Sequence, residues 1–197
     1  MTESQRTLPK PRTEGPVSVE EAIARRRSVR RYGAEALTLD EIGQLLWSAQ
    51  GITGDQANRR AAPSSGGRHP LVFYVCRSDG VWRYLPQGHV LAQHLGRDVR
   101  EDLGEAAWRQ DFIAQAPCVF AASAVFERST ERYQERGRVR YVPMDLGHAA
   151  ENLTLQAVAL GLVSVSVGAF DDDAVRQVLV LPAREEPMYL IPVGHPA

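Results

Sequence analysis

Two arginines and a serine alternate in Arg26-Arg27-Ser28-Val29-Arg30. In extended backbone successive side chains point to opposite faces, so Arg26, Ser28 and Arg30 share one. Two guanidiniums and a hydroxyl on one face form a phosphate clamp, because arginine offers paired donors in a fixed fork. Each charged hydrogen bond contributes roughly 1.5–3 kcal/mol. The same run also reads as a helix end, where cations are favoured near the C-terminus. A second segment, Ala62-Pro63-Ser64-Ser65-Gly66-Gly67, is built of small residues. Its backbone can approach a flat ligand closely, with N–H and hydroxyl groups to bond it; the alternative is a plain turn. In the third, Val167-Gly168-Ala169-Phe170-Asp171, a strand ends in glycine just before a helix cap. Backbone N–H groups there can face a ring nitrogen or an anion, or simply connect strand to helix.

Other chemistries find no support. GxGxxG, GxxxxGK[ST] and GxSxG patterns are absent, and His69, His89, His94, His148 and His195 are scattered without metal-ligand spacing. Cys76 and Cys118 sit in apolar runs, as reduced buried thiols do. The net charge of −1 favours neither nucleic acid nor an anionic membrane, although Arg25, Arg26, Arg27, Arg30 and Arg31 crowd one stretch. No run reaches the roughly 18 apolar residues of a membrane span. The polar, proline-containing start lacks a secretory apolar region. The expectation is a cytoplasmic protein with no nucleic-acid or membrane partner.

The elements that must position these segments follow from patterning. Residues 1–17 read as a flexible arm and 18–197 as one domain. Ser18 with Glu21, and Thr38 with Glu41, have capping-box spacing. The first helix runs into the arginines; the second carries Leu39, Ile42, Leu45, Leu46 and Ala49 and stops at Gly51. Residues 52–70 read as a long loop. LVFYVC (71–76) and VWRYLP (81–86) form a hairpin around Ser78-Asp79-Gly80. Residues 89–115 read as helical, from Leu91, Leu95, Val99 and Leu103. CVFAASAVF (118–126) is a buried central strand, and the polar stretch 127–140 an exposed helix or lid. The long apolar helix at 143–160 suits a core or a dimer interface. LVSVSV (162–167), a short helix capped by Asp171, and MYLIPV (188–193) complete an α+β sandwich with a mixed central sheet flanked by helices.

Taken together and in order, RRSVRRY (26–32), the leucine helix, APSSGGRHPL (62–71), MDLGHAAENLTLQAVALGL (144–162), SVGAF (166–170) and MYLIPVGHP (188–196) resemble the FMN-dependent nitroreductase superfamily. Within it they are most similar to the branch of SagB-type dehydrogenases and azoline oxidases. The resemblance implies an intertwined homodimer with FMN at the subunit interface. It implies hydride transfer from NAD(P)H to a small acceptor of nitroaromatic or quinone type, with no catalytic side chain beyond the flavin. Arg26, Arg27, Ser28 and Arg30 would hold the phosphate and ribityl chain. Pro63, Ser64, Ser65 and Gly66 would reach the flavin from the other subunit, and Gly168 and Ala169 would face its N5 region. His195 stands where many relatives carry a basic pair for the phosphate. Arg132-Tyr133 stands where azoline oxidases carry Lys-Tyr, and arginine stays protonated at neutral pH. Oxidation of azoline peptides and non-catalytic flavin binding are the alternative functions.

Overall fold

The computed structural model describes residues 4–54 and 59–197. Residues 1–3 of the expected arm and 55–58 of the expected loop lie outside the described residues. One sheet runs through the molecule. Its strands are β1 (Gln5–Thr7), β2 (Leu71–Arg77), β3 (Gly80–Leu85), β4 (Val90–Leu95), β5 (Cys118–Ala124), β6 (Val163–Ser164) and β7 (Glu186–Gly194). They lie in the order β1-β4-β3-β2-β5-β7-β6, and every ladder between them is antiparallel. A single parallel bridge, Ser28 to Ser164, extends pairing beyond β6.

The central strands are apolar on both faces because both are covered. Phe73, Val75, Trp82, Phe120, Ala122, Ile191 and Val193 pack with α2 (Leu39–Gln50) and α6 (Val142–Ala159). Their neighbours Val72, Tyr74, Cys76, Val119, Ala121 and Leu190 face α3 (Arg100–Ala106), α4 (Asp111–Gln115) and α7 (Asp172–Val178). Period-two alternation therefore feeds two cores, and each fully buried large side chain stabilises by roughly 1.5–3 kcal/mol. Cys76 and Cys118 are both buried and free, and burial pushes their thiols up in pKa, Cys118 to about 12.

The helix boundaries obey the expected caps. Ser18 accepts the Glu21 N–H at the start of α1 (Val19–Arg25). At α2 the Thr38 hydroxyl accepts the Glu41 N–H, while the Glu41 carboxylate accepts the Thr38 N–H at 2.7 Å. The Asp171 carboxylate accepts the Ala174 N–H at α7. The polar stretch forms α5 (Glu127–Arg136), followed by a π-helical turn over Gly137–Tyr141 that runs into α6.

Three expectations change. Residues 89–115 are not one helix: β4 comes first, then α3 and α4. Leu91, Leu95, Val99 and Leu103 fit a helical period, but positive φ at Gly88 (80°) and His89 (51°) turns the chain back to pair with β3. Within residues 162–167 only Val163–Ser164 form a ladder; Val167 makes an isolated bridge to Leu190. The arm is drawn onto the body, because β4 would otherwise be an open edge. Residues 5–7 pair with β4, Leu8 is buried, and the Arg12 N–H donates to the Gln44 Oε1 at 2.8 Å.

His89 links arm and sheet. Its carbonyl accepts the Leu8 N–H at 3.0 Å, and its Nδ1 lies 2.9 Å from the Tyr84 hydroxyl. Burial lowers its pKa below the usual 6.5, with the Pro9 backbone partly opposing. The unfolded chain thus takes up the proton first as pH falls through about 6.5, and folded-state stability declines below that pH. Urea midpoints measured from pH 7.5 to 5 should fall less steeply in His89→Gln than in the parent chain.

Candidate functional site

The extended arginine run is pinned by neighbouring backbone. The Val29 N–H donates to the Ser164 carbonyl at 3.0 Å, and the Arg26 N–H closes α1 on the Ala22 carbonyl at 2.9 Å. This pairing places Arg26 and Ser28 on the wall of a cavity of about 300 Å³. The rest of the lining comes from α6 (Gly147, Glu151 and Thr154), from β6 and the residues after it (Ser164 and Ser166), and from Tyr189 on β7. Arg26 Nε lies 3.6 Å from the Glu151 carboxylate, a loose ion pair with both side chains partly exposed. The lining is one guanidinium, several hydroxyls and a single carboxylate, an arrangement that accepts an anionic, hydroxyl-bearing ligand. Gly147 leaves open space over the helix, since a Cβ there would meet nothing within 4 Å.

The remaining predicted residues fall into three places. Arg27 turns back onto its own backbone, donating to the carbonyls of Ala24 (3.0 Å) and Arg26 (2.6 Å). Arg30 stands over the Phe112 ring at 5.5 Å. Two residues earlier, the Gln110 amide donates to the Ala169 carbonyl at 2.7 Å. Gly168 and Ala169 are exposed, and their backbone continues the strand segment that lines the cavity. His195 Nε2 sits 3.6 Å from the Glu41 carboxylate, away from the cavity lining.

Pro63, Ser64, Ser65 and Gly66 form a tight turn held at the start of α6. The Ser64 hydroxyl donates to Asp145 Oδ2 at 2.6 Å and accepts the His69 N–H at 2.9 Å. The Ser65 N–H and hydroxyl reach Asp145 Oδ1 at 3.1 and 3.3 Å. Asp145 is only 3% exposed, so these donors offset the cost of burying a carboxylate. Gly66 adopts φ +62°, and a Cβ on it would collide with the Tyr133 hydroxyl. In a single chain this turn does not line the cavity beside Arg26.

Sequence patterns did not mark Asp145, Ser164, Ser166 or Thr154 as site residues. A signal existed for Asp145: a carboxylate on the inner face of an apolar helix demands donors from elsewhere. Ser164 and Ser166 alternate in LVSVSV, as two residues facing one side do. A larger cavity of about 590 Å³ lies between residues 12–19, α2 and α6, and none of the predicted site residues lines it. Among the described residues no three His, Cys, Asp or Glu side chains group as metal ligands, and no helix is long and apolar enough to cross a membrane.

This α+β architecture is that of the nitroreductase family. The chain belongs to that family, whose sequence model matches residues 23–195. It is 41% identical over 184 residues to a Methanocaldococcus jannaschii protein provisionally named a nitroreductase, covering 90% of this chain and 91% of that one. A crystal structure from Ralstonia eutropha, also provisionally named a nitroreductase, superposes with a TM-score of 0.89 at 28% identity, over 98% of this chain and 90% of the other. A partial likeness, 35% over 133 residues, joins 62% of this chain to 36% of the trifolitoxin-processing protein TfxB of Rhizobium leguminosarum. The chain is thus a nitroreductase-family oxidoreductase.

Asp145 is the anchor of the Ser64–Gly66 turn. Asp145→Ala should lower folding stability by about 2–3 kcal/mol, through lost charged hydrogen bonds and stranded donors. Asp145→Asn should recover part of that loss, with both differences read from urea denaturation.

Proposed function

We propose that the chain binds FMN in the cavity beside Arg26 and Ser28 and uses NAD(P)H to reduce a small acceptor of nitroaromatic or quinone type. The observation that carries this reading is the convergence of Arg26, Ser28, Ser164 and Ser166 on one polar cavity, next to the bare backbone of Gly168 and Ala169. The residues fit the group: a guanidinium and hydroxyls suit a phosphate and ribityl chain, and exposed backbone suits the edge of a flat ring. FMN, when bound, supplies hydride acceptance and donation at its N5. Arg26 and Ser28 hold the phosphate, and the Ser164 and Ser166 hydroxyls serve the polyol. Arg30 adds positive charge nearby. The Gln110 amide fixes the Ala169 carbonyl, so that the Gly168–Ala169 backbone keeps one orientation.

The working unit in this reading is a homodimer. Val19 and Ile23 on α1 are 67% and 59% exposed, and Met144 on α6 is 51% exposed. They are exposed apolar side chains on α1 and α6, the helices that carry Val19, Ile23 and Met144. A second copy docked on them brings its own Ser64–Gly66 turn toward the cavity. The partial likeness to TfxB favours a second reading, in which the same flavin oxidises an azoline-containing peptide.

The visible spectrum of the purified protein tests the proposal. Flavin bands that bleach with NADH or NADPH and return in air are the expected result. A colourless protein that also takes up no added FMN overturns it. Arg26→Ala should weaken FMN binding about tenfold, the loss of one charged hydrogen bond. Ile23→Asp should shift the sedimentation profile toward monomer and release flavin in parallel.

A further inference from the structure

Beside the Ser64–Gly66 turn, the segment from α5 to α6 carries a cluster that flavin binding does not use. The Tyr133 hydroxyl is packed against Gly66, and the Tyr133 and Tyr141 rings meet edge to face with centroids 4.9 Å apart. The Arg132 guanidinium stands over the Tyr133 ring at 5.4 Å, and that of Arg136 over the Tyr141 ring at 5.7 Å. Arg136 Nε also donates to the Tyr141 hydroxyl at 3.0 Å. Two other arginines of this stretch are committed: Arg138 makes a double contact with Glu186, and Arg128 donates to the His69 carbonyl. Among the described residues no carboxylate lies within ion-pair distance of Arg132 or Arg136, and both are exposed.

The backbone beneath this cluster is specialised. Gln134 takes φ +50°, ψ −139°, a conformation that non-glycine residues rarely adopt, and the π-helical turn follows within three residues. Strained backbone and π turns persist where a side chain must be aimed. Here they break a regular helix between the two arginines and direct Tyr133 and Tyr141 into contact. Glu127, Glu131 and Glu135 offset only part of the charge of Arg128, Arg132, Arg136, Arg138 and Arg140. The two arginines over the rings are the charges that border the aromatic pair.

We propose that Arg132 and Arg136, with the Tyr133–Tyr141 pair, select an aromatic acceptor that carries a carboxylate or similar anion. This rests on the flavin reading above: if the Ser64–Gly66 turn faces the flavin, the Tyr133 hydroxyl touching Gly66 places the cluster at the same acceptor site. The ring of such an acceptor stacks against tyrosine, while its anion meets the guanidiniums of Arg132 and Arg136, which no carboxylate among the described residues pairs. Arg132 and Arg136 are specificity residues in this scheme; they take no part in hydride transfer.

The test uses flavin-loaded protein and a matched pair of acceptors, 4-nitrobenzoate and 4-nitrobenzyl alcohol. Steady-state KM for each is measured with saturating NADH or NADPH in the parent chain, Arg132→Gln, Arg136→Gln, the double variant, and Arg97→Gln as a remote arginine control. The double variant should raise KM for 4-nitrobenzoate about tenfold and leave KM for the alcohol within twofold. Benzoate, which is not reduced, should perturb the flavin spectrum of the parent and not of the double variant. Salt at 0.5 M should erase most of the preference in the parent. Flavin-loaded protein in which both acceptors respond alike to all variants overturns this proposal alone. Protein that holds no flavin overturns it together with the reading it rests on.

Discussion

A buried carboxylate needs donors, and Asp145 obtains them from the Ser64–Ser65 turn. Its 3% exposure removes nearly all water from a charge that would otherwise be costly to bury. The Ser64 hydroxyl and the Ser65 N–H and hydroxyl replace that water. Because Asp145 lies in the first turn of α6, the turn is fixed to the same helix whose later residues, Glu151 and Thr154, line the cavity beside Arg26. One helix therefore carries both halves of the site at a set spacing. A site built on one rigid helix keeps its parts in register.

The sheet supplies the frame behind it. Two cores, one on each face, fix β2 and β5 in the middle of the sheet; β7 follows β5, and β6 and the Ser28 bridge lie beyond β7. The edge of the cavity is thus the edge of the sheet, where pairing ends and backbone N–H groups and serine hydroxyls become available. At the far end a second buried carboxylate, Glu185, is fully enclosed. It accepts the Tyr74 and Ser123 hydroxyls at 2.9 and 2.7 Å and lies 3.3 Å from Arg83. It ties the chain entering β7 to three other strands. The molecule uses the same device twice: an acidic group buried on purpose, with donors from separate elements.

Membership of the nitroreductase family fixes the class of chemistry as oxidoreduction. A polar stretch rich in arginine and glutamate would ordinarily be a solvated helix. Here a left-handed glutamine and a π turn fold it over the Gly66 backbone. The surface so formed is aromatic at its centre and cationic at its border.

The sequence by itself determined the capped helices, the hairpin at Asp79-Gly80, the apolar central strand and the long helix, since each rests on local pattern or on a cap three residues from its partner. It also singled out Arg26 and Ser28, which the fold brings to one cavity, and the Pro63–Gly66 turn, which lies outside that cavity's lining. What it could not fix is long-range pairing. Leu91, Leu95 and Val99 satisfy a helical period as well as a strand followed by a helix, and only pairing with β3 chose the strand. The arm's place on β4, the meeting of Ser64 with Asp145 across 81 positions, and the turning of Arg27 away from the cavity were likewise decided by tertiary structure. The reason is common to all three: each depends on which unsatisfied edge, buried charge or carbonyl lies opposite, and that partner is set by packing and not by sequence distance.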